Sequence, residues 1–163
     1  MVTEHVLREF GLFKGVDEVQ LEKIAKLCHQ RTLPEGTICF AQSSRATDLH
    51  LCLSGKVDII VQLPKPWDRE VTIHSAQKGE VFGWSALTEP PIYTASARCR
   101  ETTQGISIKG ADLLVLFDHE PRLSYIIMRN LTAIIGSRLR EMSQRISAEV
   151  ASAVHEAISD VFE

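Results

Sequence analysis

The stretch Gly79-Glu80-Val81-Phe82-Gly83-Trp84-Ser85-Ala86-Leu87, followed by Tyr93-Thr94-Ala95-Ser96-Ala97, is the most informative part of this chain. It lies in a block of short apolar runs punctuated by glycine, and that block is flanked by two helical ones. Ahead of it, Leu21, Ile24, Ala25, Leu27 and Cys28 recur at the spacing that lays an apolar stripe on one helix face, predicting a helix over Gln20 to Cys28. Asp17 is placed to cap this helix, and Glu18 and Glu22 lie near the positive end of its dipole. Pro34-Glu35-Gly36 ends the pattern.

Within the block the candidate strands are Thr37 to Phe40, Leu49 to Leu53, Val57 to Val61, Val71 to His74, Ala95 to Arg100 and Gly105 to Ile108. Val57, Ile59 and Val61 alternate onto one face, opposite Asp58 and Ile60. Ser54-Gly55 reads as a tight hairpin turn, because glycine reaches a positive φ without strain. Pro64-Lys65-Pro66-Trp67-Asp68 reads as a longer surface loop. Many short strands with evenly spaced turns predict a roll or jelly-roll barrel.

Helical texture returns with Leu113, Leu114, Leu116 and Phe117, and Pro121 suits the first turn of a last helix. From there Leu131, Ile135, Leu139, Met142, Ile146, Val150, Ala153 and Ala157 recur at intervals of three and four, with Gly136 the only glycine and no proline after Arg122. So long an unbroken stripe predicts a coiled coil or a helix packed on a partner. The expected fold is α+β: a roll of about eight strands, flanked by N-terminal helices and a long C-terminal helix.

The 163 residues suit one domain, and 44% hydrophobic with 24% charged residues is a globular composition. A formal net charge of -3 gives no electrostatic footprint for nucleic acid. No run is long and apolar enough to span a bilayer, and Met1-Val2-Thr3-Glu4-His5 lacks a signal-peptide pattern, so the expectation is a cytoplasmic protein with no membrane contact. Cys28, Cys39, Cys52 and Cys99 have no C-x-x-C spacing and read as core residues, which gives no metal and no cofactor. His74 and Cys99 are conceivable haem ligands, but neither has a diagnostic spacing. Ser85 in Gly-Trp-Ser-Ala-Leu fails the nucleophile-elbow pattern at Leu87, and no catalytic set emerges; an enzyme is not expected.

The order helix, roll, two helices resembles the cyclic-nucleotide-binding domain family, as found in catabolite activator proteins and kinase regulatory subunits. The resemblance runs from about Leu12 to Arg140 and rests on landmarks in register. These are Leu12-Phe13-Lys14-Gly15-Val16, Pro34-Glu35-Gly36-Thr37-Ile38, Leu51-Cys52-Leu53-Ser54-Gly55-Lys56-Val57 and the Gly79 to Gly83 opening. It implies a domain over 1–140 and a helical extension over 141–163 that dimerises as a coiled coil. It further implies that the quoted stretch is the phosphate-binding cassette. There the family reads Phe-Gly-Glu-Leu-Ala-Leu and then Arg-Thr/Ala-Ala. Here Trp84 stands at the glutamate and Tyr93 at the arginine, and Ser43-Ser44 stands where Gly-Asp or Gly-Glu is usual. His50 falls at a strand position where the family tends to place tyrosine.

By that resemblance the ligand-binding residues are Gly83, Trp84, Ser85, Ala86, Leu87, Tyr93 and Thr94. Free backbone N–H groups from Gly83 to Leu87 can still cradle an anion, with the Thr94 hydroxyl beside them. The side chains that recognise a cyclic nucleotide are missing: indole donates where the carboxylate accepted, and phenol is uncharged where guanidinium gripped phosphate. That loss costs about 1.5–3 kcal/mol, so cyclic AMP is disfavoured. Arg98 and Arg100 lie on the face opposite Ala97 and Cys99 and read as solvated.

The expected function is a regulatory domain that senses a small ligand, an anion among the candidates, and signals through a homodimer helix. A ligand-free dimerisation and docking scaffold for a protein partner is the alternative, and a weak cyclic nucleotide binder the third reading. Direct DNA binding is not expected, because the tail after Arg140 is one Ser/Ala-rich helix turning acidic at Glu156, Asp160 and Glu163.

Overall fold

The computed structural model describes residues 1–162, with side chains described to residue 159. Asp160 and Glu163 of the acidic tail therefore lie outside the described side chains. The chain opens with α1 (Glu4–Leu7), a 3-10 turn (Gly11–Phe13) and α2 (Glu18–Ala25). Asp17 caps α2 as expected, its side chain accepting from the Gln20 N–H at 2.8 Å. The helix is shorter than the stripe predicted. Leu27 and Cys28 leave it, and Cys28 opens β1 (Cys28–Leu33), paired along its length with β8 (Thr103–Lys109). Six pairing residues outweigh two more residues of helical periodicity.

Eight strands form two four-stranded antiparallel sheets. One runs in the order β1, β8, β3 (Asp48–Ser54) and β6 (Val81–Phe82). The other runs β2 (Ile38–Phe40), β7 (Ser96–Cys99), β4 (Val57–Gln62) and β5 (Glu70–Ala76). All six expected strands are present; β1 and the two-residue β6 were not among them. Ser54-Gly55 is a turn but not a hairpin. β3 and β4 belong to different sheets, so Gly55 at φ +88° carries the chain around a corner. A Cβ there would overlap Thr102 and Thr103. The true hairpin joins β4 to β5 through the Pro64 to Asp68 loop, closed by Leu63 N–H donating to Arg69 C=O at 2.9 Å.

Alternation along β3 divides the interior into two cores. Leu49 and Leu51 face the helices and join Ile106 and Ile108 of β8 with Phe10, Phe13, Leu21 and Ile24. His50 and Cys52 face between the sheets, where Val57, Phe82, Ala97 and Cys99 close a smaller core. Each such aliphatic or aromatic side chain contributes about 1.5–3 kcal/mol on burial. Two of the four cysteines, Cys52 and Cys99, are fully buried, and Cys28 and Cys39 are half-buried.

The chain ends in α3 (Gly110–His119) and α4 (Pro121–Phe162). Leu123, Ile127 and Leu131 bury the start of α4 in the larger core. Asn130 then pins it, its amide donating to Leu12 C=O at 2.9 Å and Lys14 C=O at 2.8 Å. No helix among the described residues is long and apolar enough to cross a membrane.

Candidate ligand-binding site

β6 ends at Gly83, whose φ of +73° turns the chain into a 3-10 turn, Trp84–Leu87. Only glycine suits this corner. A Cβ would come within 3.0 Å of both His50 Cδ2 and Phe40 Cε1, in a backbone region that already disfavours side chains. The turn borders a cavity of about 340 Å³ between the roll and α4. Ile59 and Val61 of β4 and Ile73 and His74 of β5 form one wall, and Ile135, Arg138, Leu139 and Met142 of α4 form the roof.

The expected site residues divide. Gly83, Trp84, Ser85, Tyr93 and Thr94 line the cavity. Ala86 and Leu87 do not: Ala86 packs with Ala46, Tyr93 and Phe40, and Leu87 joins the larger core. Trp84 is half-buried and packs against that core while lining the cavity. Tyr93 is 4% exposed, its ring stacked on Phe40 with centroids 3.8 Å apart and planes 9° from parallel. Its hydroxyl donates to Asp48 C=O at 2.8 Å and accepts from Asp48 N–H at 3.1 Å. Burial raises its pKa. Tyr93 is thus a neutral wall with its polar end already engaged. Arg98 and Arg100 point away as expected, pairing with Glu70 and Asp58 at 2.9 Å each.

The residues that sequence reasoning missed come from elsewhere in the chain. Arg138 on α4 donates to Glu80 Oε1 at 2.7 Å, to His74 Nδ1 at 2.7 Å and, more distantly, to Glu141 at 3.4 Å. Since a guanidinium has no acceptor, Nδ1 must carry the lone pair; Nε2 then holds the proton and donates to Glu80 Oε1 at 3.1 Å. Burial works to raise the Glu80 pKa, but bonds from His74, Arg138 and the Gln77 N–H outweigh it and hold the carboxyl at about 2. This cluster joins α4, β5 and the turn before β6, with His74, Arg138 and Glu141 lining the cavity. Its signal in the sequence was a cation set within the apolar stripe between Ile135 and Leu139.

His50 lies between the sheets, stacked on Phe82 with centroids 5.2 Å apart and tilted against Phe40 at 5.4 Å. Its Nε2 is buried without a partner. Burial lowers its pKa to about 4, against a raising influence of Asp48. It packs between the sheets and does not line the cavity beneath α4. Cys99 sits in the intersheet core beside Cys39, with Sγ atoms 3.8 Å apart, while His74 is committed to Arg138 and Glu80.

The cyclic nucleotide-binding domain family model matches residues 30–120, more than half of the chain. The chain is 28% identical over 130 residues to the cyclic AMP receptor protein of Thermus thermophilus, a match covering 80% of this chain and 57% of that relative. The crystal structure of the Thermus thermophilus catabolite activator protein superposes with a TM-score of 0.70 at 26% identity, covering 86% of this chain and 63% of that one. A cyclic nucleotide-binding domain from Methylobacillus flagellatus shares the fold with a TM-score of 0.77 at 19% identity, over 89% of this chain and 80% of that one. The chain thus spans little more than half the length of the receptor protein it matches. With its roll, corner glycine and helix-roofed cavity, the chain belongs to the cyclic nucleotide-binding domain family.

Proposed function

We propose that this chain is a ligand-sensing regulatory domain whose small ligand binds between the roll and α4 and whose signal leaves through α4 in a homodimer. One observation carries the reading: the cavity of about 340 Å³ has α4 for a roof, so an occupant touches both the pocket and the signalling helix. Gly83, Trp84, Ser85, Tyr93 and Thr94 are the proposed contact residues on the cassette side. Ile135, Arg138, Leu139 and Met142 are those on the helix. Leu139, Ile146 and Val150 are exposed in the single chain and supply the dimer seam. In thermal-shift screening of the full chain against cyclic nucleotides and small carboxylic acids and phenols, a compound that binds the native state raises the melting temperature. The same compound is expected to change the spacing of spin labels on α4. A binder that leaves α4 unmoved refutes signalling through the helix.

The scaffold reading has its own support. Tyr93 is stacked on Phe40 and fully hydrogen-bonded, filling the place where the resemblance implies a phosphate-gripping arginine. Failure of every compound to shift the melting temperature, with the dimer intact, favours it. Tight cyclic AMP binding would favour the third reading, in which backbone donors alone hold the phosphate.

A further inference from the structure

Resting on the ligand-sensing reading, we infer that the cavity takes a neutral, largely apolar molecule, a hydroxylated aromatic in class, and selects against anions. The argument is one of charge. Arg138 is the only Lys or Arg lining the cavity among the described residues, and it is not free. It is held at 2.7 Å by Glu80 and at 3.4 Å by Glu141, with a neutral His74 against its remaining edge. The cluster around Arg138 therefore holds one cation and two carboxylates. An incoming anion meets no unpaired positive charge, and its own charge is repelled by Glu80 and Glu141. The other lining side chains are aliphatic and aromatic apart from the Ser85 and Thr94 hydroxyls and the Trp84 indole, and none carries a positive charge to offset an anion's loss of water.

The polar groups that remain suit a hydroxyl. Ser85 and Thr94 present hydroxyls on the cassette side, able to donate or accept, and Trp84 presents a half-buried indole. A cavity of about 340 Å³ is at the small end for ligand pockets and has room for a two-ring compound.

The test is calorimetric titration of the full chain at neutral pH with matched probes: naphthol and biphenylol against naphthoate and biphenyl carboxylate. Each neutral probe is expected to bind at least about tenfold more tightly than its carboxylate partner. Ile59→Trp or, independently, Val61→Trp should abolish that binding by filling the cavity, with circular dichroism confirming the fold. Glu80→Gln combined with Glu141→Gln unpairs Arg138 and should reverse the preference toward naphthoate. A carboxylate that binds wild type as well as its phenol, or better, overturns the neutral-ligand inference and leaves the sensor reading standing. So does cyclic AMP binding with no response to any aromatic probe. Binding of a phenol that survives both cavity-filling variants places it elsewhere and also overturns the inference. No binding of any probe or of cyclic AMP, with α4 dimerised, overturns both readings in favour of the scaffold.

Discussion

His50 has a buried Nε2 with no partner, and its cost depends on pH. Folded, the ring titrates near 4; unfolded, it returns to 6.5. Between these values the unfolded chain binds the extra proton, so stability is complete above pH 6.5 and falls as pH drops toward 4. The full loss is up to about 3 kcal/mol. Urea denaturation across this window should show the slope in wild type and a flatter profile in His50→Phe, which keeps the aromatic stack and removes the orphaned nitrogen. An unchanged slope would assign it to another group. Ser43 carries a different kind of strain. It stands where the family usually has glycine, and it does adopt a left-handed φ of +66°. Ser43→Gly should therefore stabilise the protein by about 1 kcal/mol, read as a raised melting temperature. The sequence comparison showed the missing glycine; only the structure shows that the backbone kept the conformation glycine would have favoured.

Helices and strands were unevenly legible. Six of the eight strands carried their own apolar pattern, whereas β6 is too short for any periodicity and β1, with His29, Gln30 and Arg31 at its centre, is defined by pairing with β8. The site was legible only in its sequence-local half. Gly83 and Thr94 belong to one stretch, but Arg138, His74 and Glu80 meet across 64 and 58 residues of chain, a distance that no spacing rule spans. Their cluster ties α4 to the roll, reinforced by Arg145 donating to Ile73 C=O at 3.0 Å. The Glu80 pKa of about 2 lies below its ordinary 4.5, so this tie is complete above pH 4.5 and is lost as pH falls toward 2. Arg138→Met keeps the apolar stem and removes the charge. It should raise the Glu80 pKa, measurable by carboxyl-carbon NMR, and speed amide exchange in α4 after Asn130. An unshifted Glu80 would show that His74 and Gln77 suffice to hold it.

At the scale of the whole molecule, α4 changes allegiance along its length. Leu123 to Leu131 belongs to the core, and Ile135 and Met142 line the cavity; Ile146, Val150, Val154 and Ile158 meet nothing in the single chain, each more than half exposed. The sequence stripe runs through all of these without a break and predicts a coiled coil or a helix packed on a partner. In the structure its turns from Ile135 to Met142 line the pocket. Leu139 sits at the boundary, lining the cavity while 59% exposed, so one residue faces both the ligand and the place of a second copy. Four exposed aliphatic residues along one extended helix leave an apolar surface that a second α4 would bury. Sedimentation at micromolar concentration is thus expected to show a dimer. Ile146→Glu with Val150→Glu should convert it to monomer while pocket ligands still bind, because neither residue lines the cavity. Leu139→Glu should weaken both dimer and binding, by about tenfold or more each, since a carboxylate enters an apolar contact on either side. If the Ile146 and Val150 changes leave the dimer intact, that part of α4 is not the seam between the two copies.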